Sequence, residues 1–580
     1  MARFRRQTSS LRSKRSSVEG RIVGAGRISY RRRLWVLAAT VAVVSVVVYL
    51  PALANGFTNW DDPGYIVENS HLGPLDLRFL GWALTTFRMA NWNPLTWLSL
   101  GVDHAFFGLD PLGYHLSNIL LHGVTTLIVV LLVGALFAQA QGACNSRSLL
   151  AAAVAGLIFA VHPLHVESVA WVSERKDVLC GVFYVLALLF YLRFVEHRKR
   201  AAYLACLSAF ALALLAKPMA VSFPLVLLIL DAYPLARLTK PGWTRVVVEK
   251  VPFVALGAAS SLVTIMAQWR GGAVARHVAL GARLWGAERG LCFYLAKMAL
   301  PINLSPMYPL ESEFSPWRWD YLLSLALVFG VSVTAVVVRR RAPVVGALWV
   351  AYVAMLLPAI GIVQVGQQAA ADRHMYLPLL APAIGIAALV VRVWQGGRHI
   401  RAALAVAAVI TMIGLSILTV RQIGVWRDSP TLWMWVIKKQ PGAAMAHYNL
   451  GEYLREKGDL DSAGQFWQRA AEIEPTFSWP LNQLGNLAVL HGSLDEARRY
   501  FDRATRVNVY DAEAQLNFAN FLEDQGEVAE ARLHYEIFLR VAPPSKFADF
   551  FPEVQAKLSL PALQQGLDNP ASEVRLVPTR

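Results

Sequence analysis

Two adjacent carboxylates, Asp61 and Asp62, lie in the stretch Phe57-Thr58-Asn59-Trp60-Asp61-Asp62-Pro63-Gly64-Tyr65, just after the first long apolar run of the chain. Neighbouring carboxylates repel. Beside a low-dielectric boundary one of them should hold its proton above the usual carboxylate range, which suits a group that takes a proton from a substrate hydroxyl. Asp-Asp-Pro-Gly is also a good turn sequence, and a solvated turn is the competing reading. Other ionisable side chains interrupt or flank later apolar runs: His162, His165 and Glu167; Glu174, Arg175, Lys176 and Asp177; Lys217; Arg276, His277 and Lys297; and Asp372, Arg373, His374 and Tyr376. Such groups are costly at membrane depth and are functional by default. Cations converging on the carboxylates suit a substrate with an anionic head at the outer leaflet and a hydroxyl to be activated.

Each group also has a plainer reading. His162-Pro163-Leu164-His165 offers a metal pair, but the proline disfavours a shared helical face. Glu174 to Asp177 reads equally as a solvated charge cluster, Lys217-Pro218 as a bend with a snorkelling lysine, and Asp372-Arg373 as an ion pair at a helix start. No cofactor is expected, and a divalent metal is kept only as an alternative.

These residues need membrane helices to position them. The chain has 580 residues, 56% of them hydrophobic, and a mean hydropathy of +0.42, too apolar for an ordinary soluble protein. The net charge of +16 is concentrated before residue 34 and in short segments between apolar runs, a pattern of the positive-inside rule and not of a nucleic-acid footprint. Cys144, Cys180, Cys206 and Cys292 are scattered, with neither a disulfide framework nor zinc spacing.

Residues 1–33 are basic and read as a disordered cytoplasmic arm near anionic lipid. The first span is Leu34 to Leu53; Ala52-Leu53-Ala54 resembles a signal-peptidase site, so cleavage stands as an alternative to a retained anchor. The aromatic-rich loop that follows, with Trp82, Phe87, Trp92, Trp97, Phe106 and Phe107, should form short helices along the interface. Further apolar runs to Val420 bring the sum to about eleven spans. With a cytoplasmic arm, the basic segments 193–200, 237–250, 339–341 and 392–401 fall on the cytoplasmic side in strict alternation. The diacidic loop, Glu174 to Asp177, Trp269 to Arg318, Gln364 to His374 and everything after Val420 then share the outer face. Glu288 to Leu300 must re-enter or lie in the interface.

After residue 425 a period of 34 residues begins. Gly458, Gly492 and Gly526 share one phase, Ala463, Ala497 and Ala531 another, and Trp467, Phe501 and Tyr535 a third; Gly451 and Gly485 are matched by Ala519. This is the tetratricopeptide pattern, a binding array without catalytic apparatus of its own. The expected fold is all-α. Its parts are the arm, a polytopic membrane domain over 34–425, repeats over 426–545 with units near 444–477, 478–511 and 512–545, and a tail over 546–580.

Asn59-Trp60-Asp61-Asp62, His162-Pro163-Leu164-His165-Val166-Glu167-Ser168, Glu174-Arg175-Lys176-Asp177-Val178-Leu179, Ala216-Lys217-Pro218-Met219 and Ala371-Asp372-Arg373-His374-Met375-Tyr376-Leu377-Pro378 precede those repeats. Together they resemble bacterial relatives of the transmembrane and tetratricopeptide repeat-containing O-mannosyltransferases. The resemblance implies the GT-C glycosyltransferase fold, an acidic pair of the first outer loop at the active site, and a polyprenyl-phosphate sugar as donor. His374 stands where many relatives have Tyr.

The sequence therefore reads as an inverting membrane glycosyltransferase at the outer face of a bacterial inner membrane, passing a hexose such as mannose to a protein or glycan acceptor. Asp61, ahead of Asp62, is the expected base. Arg175, Lys176 and Arg373 are the expected phosphate ligands, with Lys217 and Lys297 behind them. His162, His165, Glu167, Glu174, Asp177, Asp372, His374 and Tyr376 are further active-site candidates, and the repeats would hold the acceptor or a protein partner. The rival readings are a transporter or flippase of lipid-linked sugars, against which the chain shows no internal symmetry, and a membrane-anchored scaffold, which has no need of so many ionisable outer-face residues.

Overall fold

The computed structural model describes residues 28–239, 241–270, 279–310, 315–363, 366, 368–543 and 547–559. Arg276 and His277, most of the basic arm and the end of the tail lie outside them. The chain divides into two units, residues 1–428 and 429–580.

In the first unit the long helix α1 (Ile28–Ala54) begins ahead of the apolar run, and Tyr30 donates its hydroxyl to Gly134 O at 3.0 Å. The next segment folds into α2 (Leu77–Thr85) and α3 (Pro94–Phe107), the short helices expected of the aromatic loop. Their rings pack into a core of their own, with Tyr65 stacked on Trp97 at 4.9 Å and Trp97 edge-on to Trp82. Then come α4 (Pro111–Gln141), α5 (Ser146–Val161), the short α6 (Val166–Ala170) and α7 (Arg175–His197). Asp110 caps α4 by accepting from Leu112 N, and Asn145 caps α5; both satisfy donors that a helix start leaves open. α5 and the segment Pro163–Ala170 form a pair bent by 52°. The bend falls at His162-Pro163, where proline cannot continue the hydrogen-bond ladder.

Beyond α7 lie α8 (Arg200–Ala216), α9 (Phe223–Ala232), α10 (Trp243–Val248), α11 (Val251–Arg270), α12 (Leu280–Ala299), α13 (Trp319–Val337), α14 (Pro343–Leu356), α15 (Leu380–Val393) and α16 (Arg398–Ile423). β1 (Tyr308–Pro309) pairs antiparallel with β2 (Gln368–Ala370), Tyr308 opposite Ala370. This small ladder departs from a purely helical expectation, and it ties the segment after α12 to the one that carries Asp372 and Arg373.

Among the described residues six helices are long and apolar enough to cross a membrane, or seven if the bent pair counts as one span. Four shorter apolar helices, Arg200–Ala216, Pro218–Ala232, Pro343–Leu356 and Leu380–Val393, account for the remaining expected runs. Length and composition thus support a multi-pass membrane protein with fewer full-length crossings than the eleven expected.

The second unit opens with α17 (Ser429–Lys439) and continues as three helix pairs: α18 (Ala444–Glu456) with α19 (Leu460–Ile473), α20 (Ser478–Leu490) with α21 (Leu494–Val507), and α22 (Ala512–Asp524) with α23 (Val528–Val541). The phased residues do what their types dictate. Gly458, Gly492 and Gly526 take φ of +84°, +73° and +78° at the turn inside each pair, where a side chain would be strained. Ala463, Ala497 and Ala531 are fully buried. A Cβ on Gly451 or Gly485 would come within 2.6 Å of the Trp467 or Phe501 ring. α24 (Phe550–Leu558) packs on the last pair, and its Lys557 Nζ lies 2.8 Å from Glu523.

Candidate active site

α7 starts where the chain leaves the bent pair, and its first turn brings Glu174, Lys176 and Asp177 inward. Glu174 sits between three cations: Lys176 Nζ at 3.2 Å, Lys217 Nζ at 3.2 Å and Arg373 Nε at 3.3 Å. Lys217, at the break between α8 and α9, also reaches Asp177 Oδ1 at 2.7 Å, while Ser168 donates to Asp177 Oδ2 at 3.1 Å. Arg373 forms a two-point contact with Glu167, through its backbone N at 3.0 Å and its guanidinium, and donates to Gln368 at 3.1 Å. Tyr65 adds its ring face to Lys176, 4.8 Å from Nζ. A network of this kind offsets the large desolvation cost of its buried charges only because each is paired and hydrogen-bonded.

The two aspartates of the first loop differ sharply. Asp62 is 1% exposed; Oδ2 accepts from Thr58 N at 2.8 Å and Thr58 Oγ1 at 3.0 Å, and Oδ1 accepts from Ser173 N and Ser173 Oγ. Burial pushes its carboxyl up to about 6, against the pull of those hydrogen bonds. Asp61 is half-buried, and among the described residues its carboxylate makes no hydrogen bond or ion pair. Its pKa is raised by burial, with Lys176 opposing, Glu174 reinforcing and Arg373 opposing. Asp61 is therefore a carboxylate within the field of the cluster but without a partner from it.

The remaining candidates divide into those that join and those that do not. Asp372, 2% exposed, accepts from Tyr308 at 3.1 Å and is held well above the usual carboxylate range by burial and by Glu167. His374 Nδ1 lies 3.0 Å from Tyr294 OH; burial and Arg373 keep its imidazole neutral. Tyr376 OH pairs with His122 Nδ1 at 2.9 Å. Asp177, Arg373, His374 and Tyr376, with Cys180, Met219, Met355 and Leu377, line a narrow cavity of about 10 Å³.

Arg175 does not join. It is fully buried, and four of its five N–H donors are used by Asp103, Asn118, Ser99 at 2.8 Å and the carbonyl of Tyr114 at 2.9 Å, all away from the cluster. Lys297 donates to the carbonyls of Ile302 and Asn303, both at 3.1 Å. His162 bonds to Met298 O at 3.0 Å and His165 to Phe159 O at 2.9 Å, both as buried side chains that stitch the bend. Among the described residues no group of three or more His, Cys, Asp or Glu could hold a metal ion.

Tyr65, Ser168, Trp171, Ser173 and Gln368 contribute to the site without having been singled out from sequence. Three of these lie inside the His162 to Asp177 stretch, so proximity to the motif was the available signal. Nothing local marks Asp103 as the partner of Arg175.

A second, apolar cavity of about 180 Å³ is lined by Leu132 and Leu136 of α4, Leu188 of α7, Ile229 of α9, Val344, Leu348 and Met355 of α14, and Leu380 and Ile384 of α15, among others. Met355 lines both cavities, so the apolar groove abuts the polar one.

Comparisons with known proteins agree with the motifs. The tetratricopeptide repeat family model matches residues 424–476 and 482–546. The chain is similar to the protein O-mannosyl-transferase Tmtc1 of Drosophila melanogaster, 33% identical over 189 residues, which is 31% of this chain and 21% of that protein. It is also similar to the protein O-mannosyl-transferases tmtc2 of Xenopus laevis, at 39% over 108 residues (19% of this chain, 12% of that one), and TMTC4 of Homo sapiens, at 37% over 119 residues (20% and 16%). The matched part thus spans about a fifth or less of the length of these relatives. The resemblance read from the motifs holds.

Proposed function

We propose that this chain is a GT-C-type glycosyltransferase that moves a hexose such as mannose from a polyprenyl phosphate to a hydroxyl of a protein or glycan, with inversion, at the outer face of a bacterial inner membrane. The observation that carries this reading is the Asp61 carboxylate. It is partly open, its side chain has no hydrogen bond or ion pair among the described residues, its pKa is raised by burial, and it lies in the field of Lys176 and Arg373, which are themselves held on carboxylates. A general base needs that combination of reach, affinity for a proton and fixed surroundings.

In the reaction Asp61 takes the acceptor hydroxyl proton as the oxygen attacks the anomeric carbon. The bond from that carbon to the phosphate oxygen breaks, and the electron pair leaves with polyprenyl phosphate. Lys176, Lys217 and Arg373 offset the charge that develops on the phosphate, exchanging part of their contact with Glu174, Asp177 and Glu167 for it. Asp372, whose carboxyl burial and Glu167 hold well above the usual carboxylate range, accepts from Tyr308 and does not pair with these cations. Arg175, spent on Asp103, instead fixes the start of α7 and with it the direction of Glu174, Lys176 and Asp177. The apolar groove beside Met355 suits the isoprenoid tail: from Val344 to Met355 it follows α14 for about 17 Å at 1.5 Å per residue. The similarity to named O-mannosyl-transferases supports the sugar, and the repeats support a protein acceptor or partner.

On this reading the four shorter apolar helices cross the bilayer as well, bringing the spans to eleven. The basic segments at the ends of α7, α13 and α15 then face the cytoplasm, and the start of α7 and the repeats face outward. The decisive experiment incubates the purified full chain with labelled polyprenyl-phosphate mannose and an acceptor extract. Release of polyprenyl phosphate with sugar transfer supports the enzyme. Donor binding without release, across a panel of lipid-linked hexoses, returns the reading to a carrier of lipid-linked sugars.

A further inference from the structure

The loop that carries Asp61 is fastened on both sides of it, while Asp61 itself is held only through its carbonyl, which accepts from Tyr65 N at 2.9 Å. Asp62 is clasped by Thr58 and Ser173. Ahead of it, Asn55 Nδ2 donates to Ile423 O at 3.2 Å, and Gly56 N donates to Arg427 O at 2.8 Å; Ile423 ends α16 and Arg427 follows the short turn Gly424–Trp426 after it. Between these points Trp60 stacks on Trp171 with ring centroids 4.8 Å apart and runs parallel to Trp426 at 6.4 Å, while Trp171 and Trp426 stack at 5.1 Å. Trp171 and Trp426 are 2% and 1% exposed. The Arg373 guanidinium lies 5.6 Å over the Trp171 ring, so one aromatic assembly touches both the residue next to Asp61 and the cation expected to face the phosphate.

α16 presents most of its length outward: only 6% of its apolar window is buried inside the protein. Its outer end is the exception. Thr419 donates to Val161 O at 2.7 Å, and Gln422, Ile423, Val425 and Trp426 are all buried. A helix that served only as an anchor would need no such socket for its last residues.

We propose that Trp426 is a positioning residue for Asp61: acting through Trp60 and Trp171, it fixes the distance between the carboxylate and the Arg373 side of the site. This rests on the reading of Asp61 as the base, and it assigns to the end of the membrane domain a part in the chemistry. Asp61 is held by its backbone alone, its carbonyl accepting from Tyr65 N, and among the described residues its carboxylate has no hydrogen bond, so where the side chain lies depends on how well the flanking ring is held. A misplacement of about 1 Å at a reacting group can cost a factor of about 10² in rate.

The test uses full-length protein in nanodiscs with Trp426→Phe and Trp426→Ala. Positioning predicts that Trp426→Ala lowers kcat for polyprenyl-phosphate release by about 10- to 100-fold, with donor KM within about twofold. Trp426→Phe, which keeps a ring in the stack, should recover most of the loss. It also predicts faster amide hydrogen exchange over residues 57–65 in Trp426→Ala, with residues 175–190 of α7 unchanged. Equal kcat per folded molecule in both variants, with only a lowered Tm, overturns the proposal, because Trp426 would then be simple packing. If the wild type releases no polyprenyl phosphate, the enzyme reading fails on its own. The exchange experiment still decides this inference, since unchanged exchange over 57–65 in both variants shows that Trp426 does not hold the loop. Should Trp426→Ala not fold, Trp426→Phe with the same two readouts decides between them.

Discussion

α7 carries a buried ionic cluster at each end, and the two are built to different plans. Near its last turns Asp231, fully buried, accepts from Tyr191 at 2.6 Å, pairs with Lys250 at 2.6 Å and with Arg237 at 3.0 Å. Arg237 in turn meets Glu249 at 2.6 Å, and Lys250 donates to Tyr191 OH at 2.7 Å. Two carboxylates face two buried cations, with the exposed Arg198 adding a third at the rim, so each carboxylate has its cation. About 21 Å along the helix, from Tyr191 back to Asp177 at 1.5 Å per residue, the other cluster is acid-rich. Glu167, Glu174 and Asp177 pair with Lys176, Lys217 and Arg373, Asp62 and Asp372 are held by hydroxyl and backbone donors instead, the Asp61 carboxylate has no partner among the described residues, and a small cavity opens beside Asp177 and Arg373. A closed, balanced network ties helices together; an open, unbalanced one keeps capacity for a ligand and a proton. Burial is common to both, so burial alone identifies neither.

The strongest way to break this contrast is at the open carboxylate. Asp61→Asn should reduce sugar transfer by about 10²–10⁴-fold, the range for loss of a general base, with insertion and Tm unchanged because no partner is lost. Asp62→Asn should instead lower Tm, since the amide cannot accept from both Thr58 and Ser173 as the carboxylate does, and should cost less in turnover. Parallel activity assays and melting curves on both variants test the difference. Normal turnover in Asp61→Asn would show that the loop is only a turn.

At the closed end the expected effect moves from turnover to stability. Asp231→Ala leaves Arg237 and Lys250 with only Glu249 between them, and breaking a buried network from one side costs about 3–5 kcal/mol. Denaturation of the purified protein should register that loss, while kcat of the molecules that remain folded stays near wild type. A collapse of kcat without loss of stability would mean that both ends of α7 serve the reaction.

Some of this was open to a reader of the sequence and some was not. The apolar runs and the 34-residue period are local patterns, so helices and repeats could be read directly. Glu174, Lys176, Asp177, Lys217 and Arg373 could be listed together because ionisable groups at membrane depth are rare. Which cation meets which carboxylate could not, because pairing is decided by packing between residues far apart in the chain. Arg175 looked identical in kind to Lys176, yet it turns to Asp103, 72 residues away. Arg237 and Lys250 read as cytoplasmic loop charges, although both are buried. Trp426 sat at the edge of the last apolar run with nothing to mark it as part of a stack with Trp60.

A finer test uses pH. Burial raises the Asp61 pKa, the Lys176 charge lowers it and the Glu174 charge raises it. As a base Asp61 must be ionised, so transfer should fall with decreasing pH through a limb lying above the ordinary carboxylate range. Lys176→Met removes the lowering charge and should move the limb to higher pH; Glu174→Gln removes the raising one and should move it lower. Rate profiles on the two variants check the signs. A shift in the same direction for both would place the titrating group elsewhere.

The smallest expected effect serves as a control within one carboxylate. Glu249 is approached by Arg237, whose side chain is 4% exposed, and by Arg198 at 3.5 Å, whose side chain is 57% exposed. The charges are the same and the acceptor is the same; only the surroundings differ. Water and salt screen the Arg198 pair, and holding a long exposed side chain costs conformational freedom, so Arg198→Gln should alter stability by no more than about 0.5 kcal/mol. Arg237→Gln leaves Asp231 and Glu249 short of a cation inside the protein and should approach the loss of Asp231→Ala. Melting curves of the two variants, at low and at high salt, separate them: Arg198→Gln should sit on the wild-type curve at both, and Arg237→Gln should be destabilised at both because its pair is shielded from salt. Equal losses would mean that the position at the end of α7, and not burial, sets the strength of this cluster.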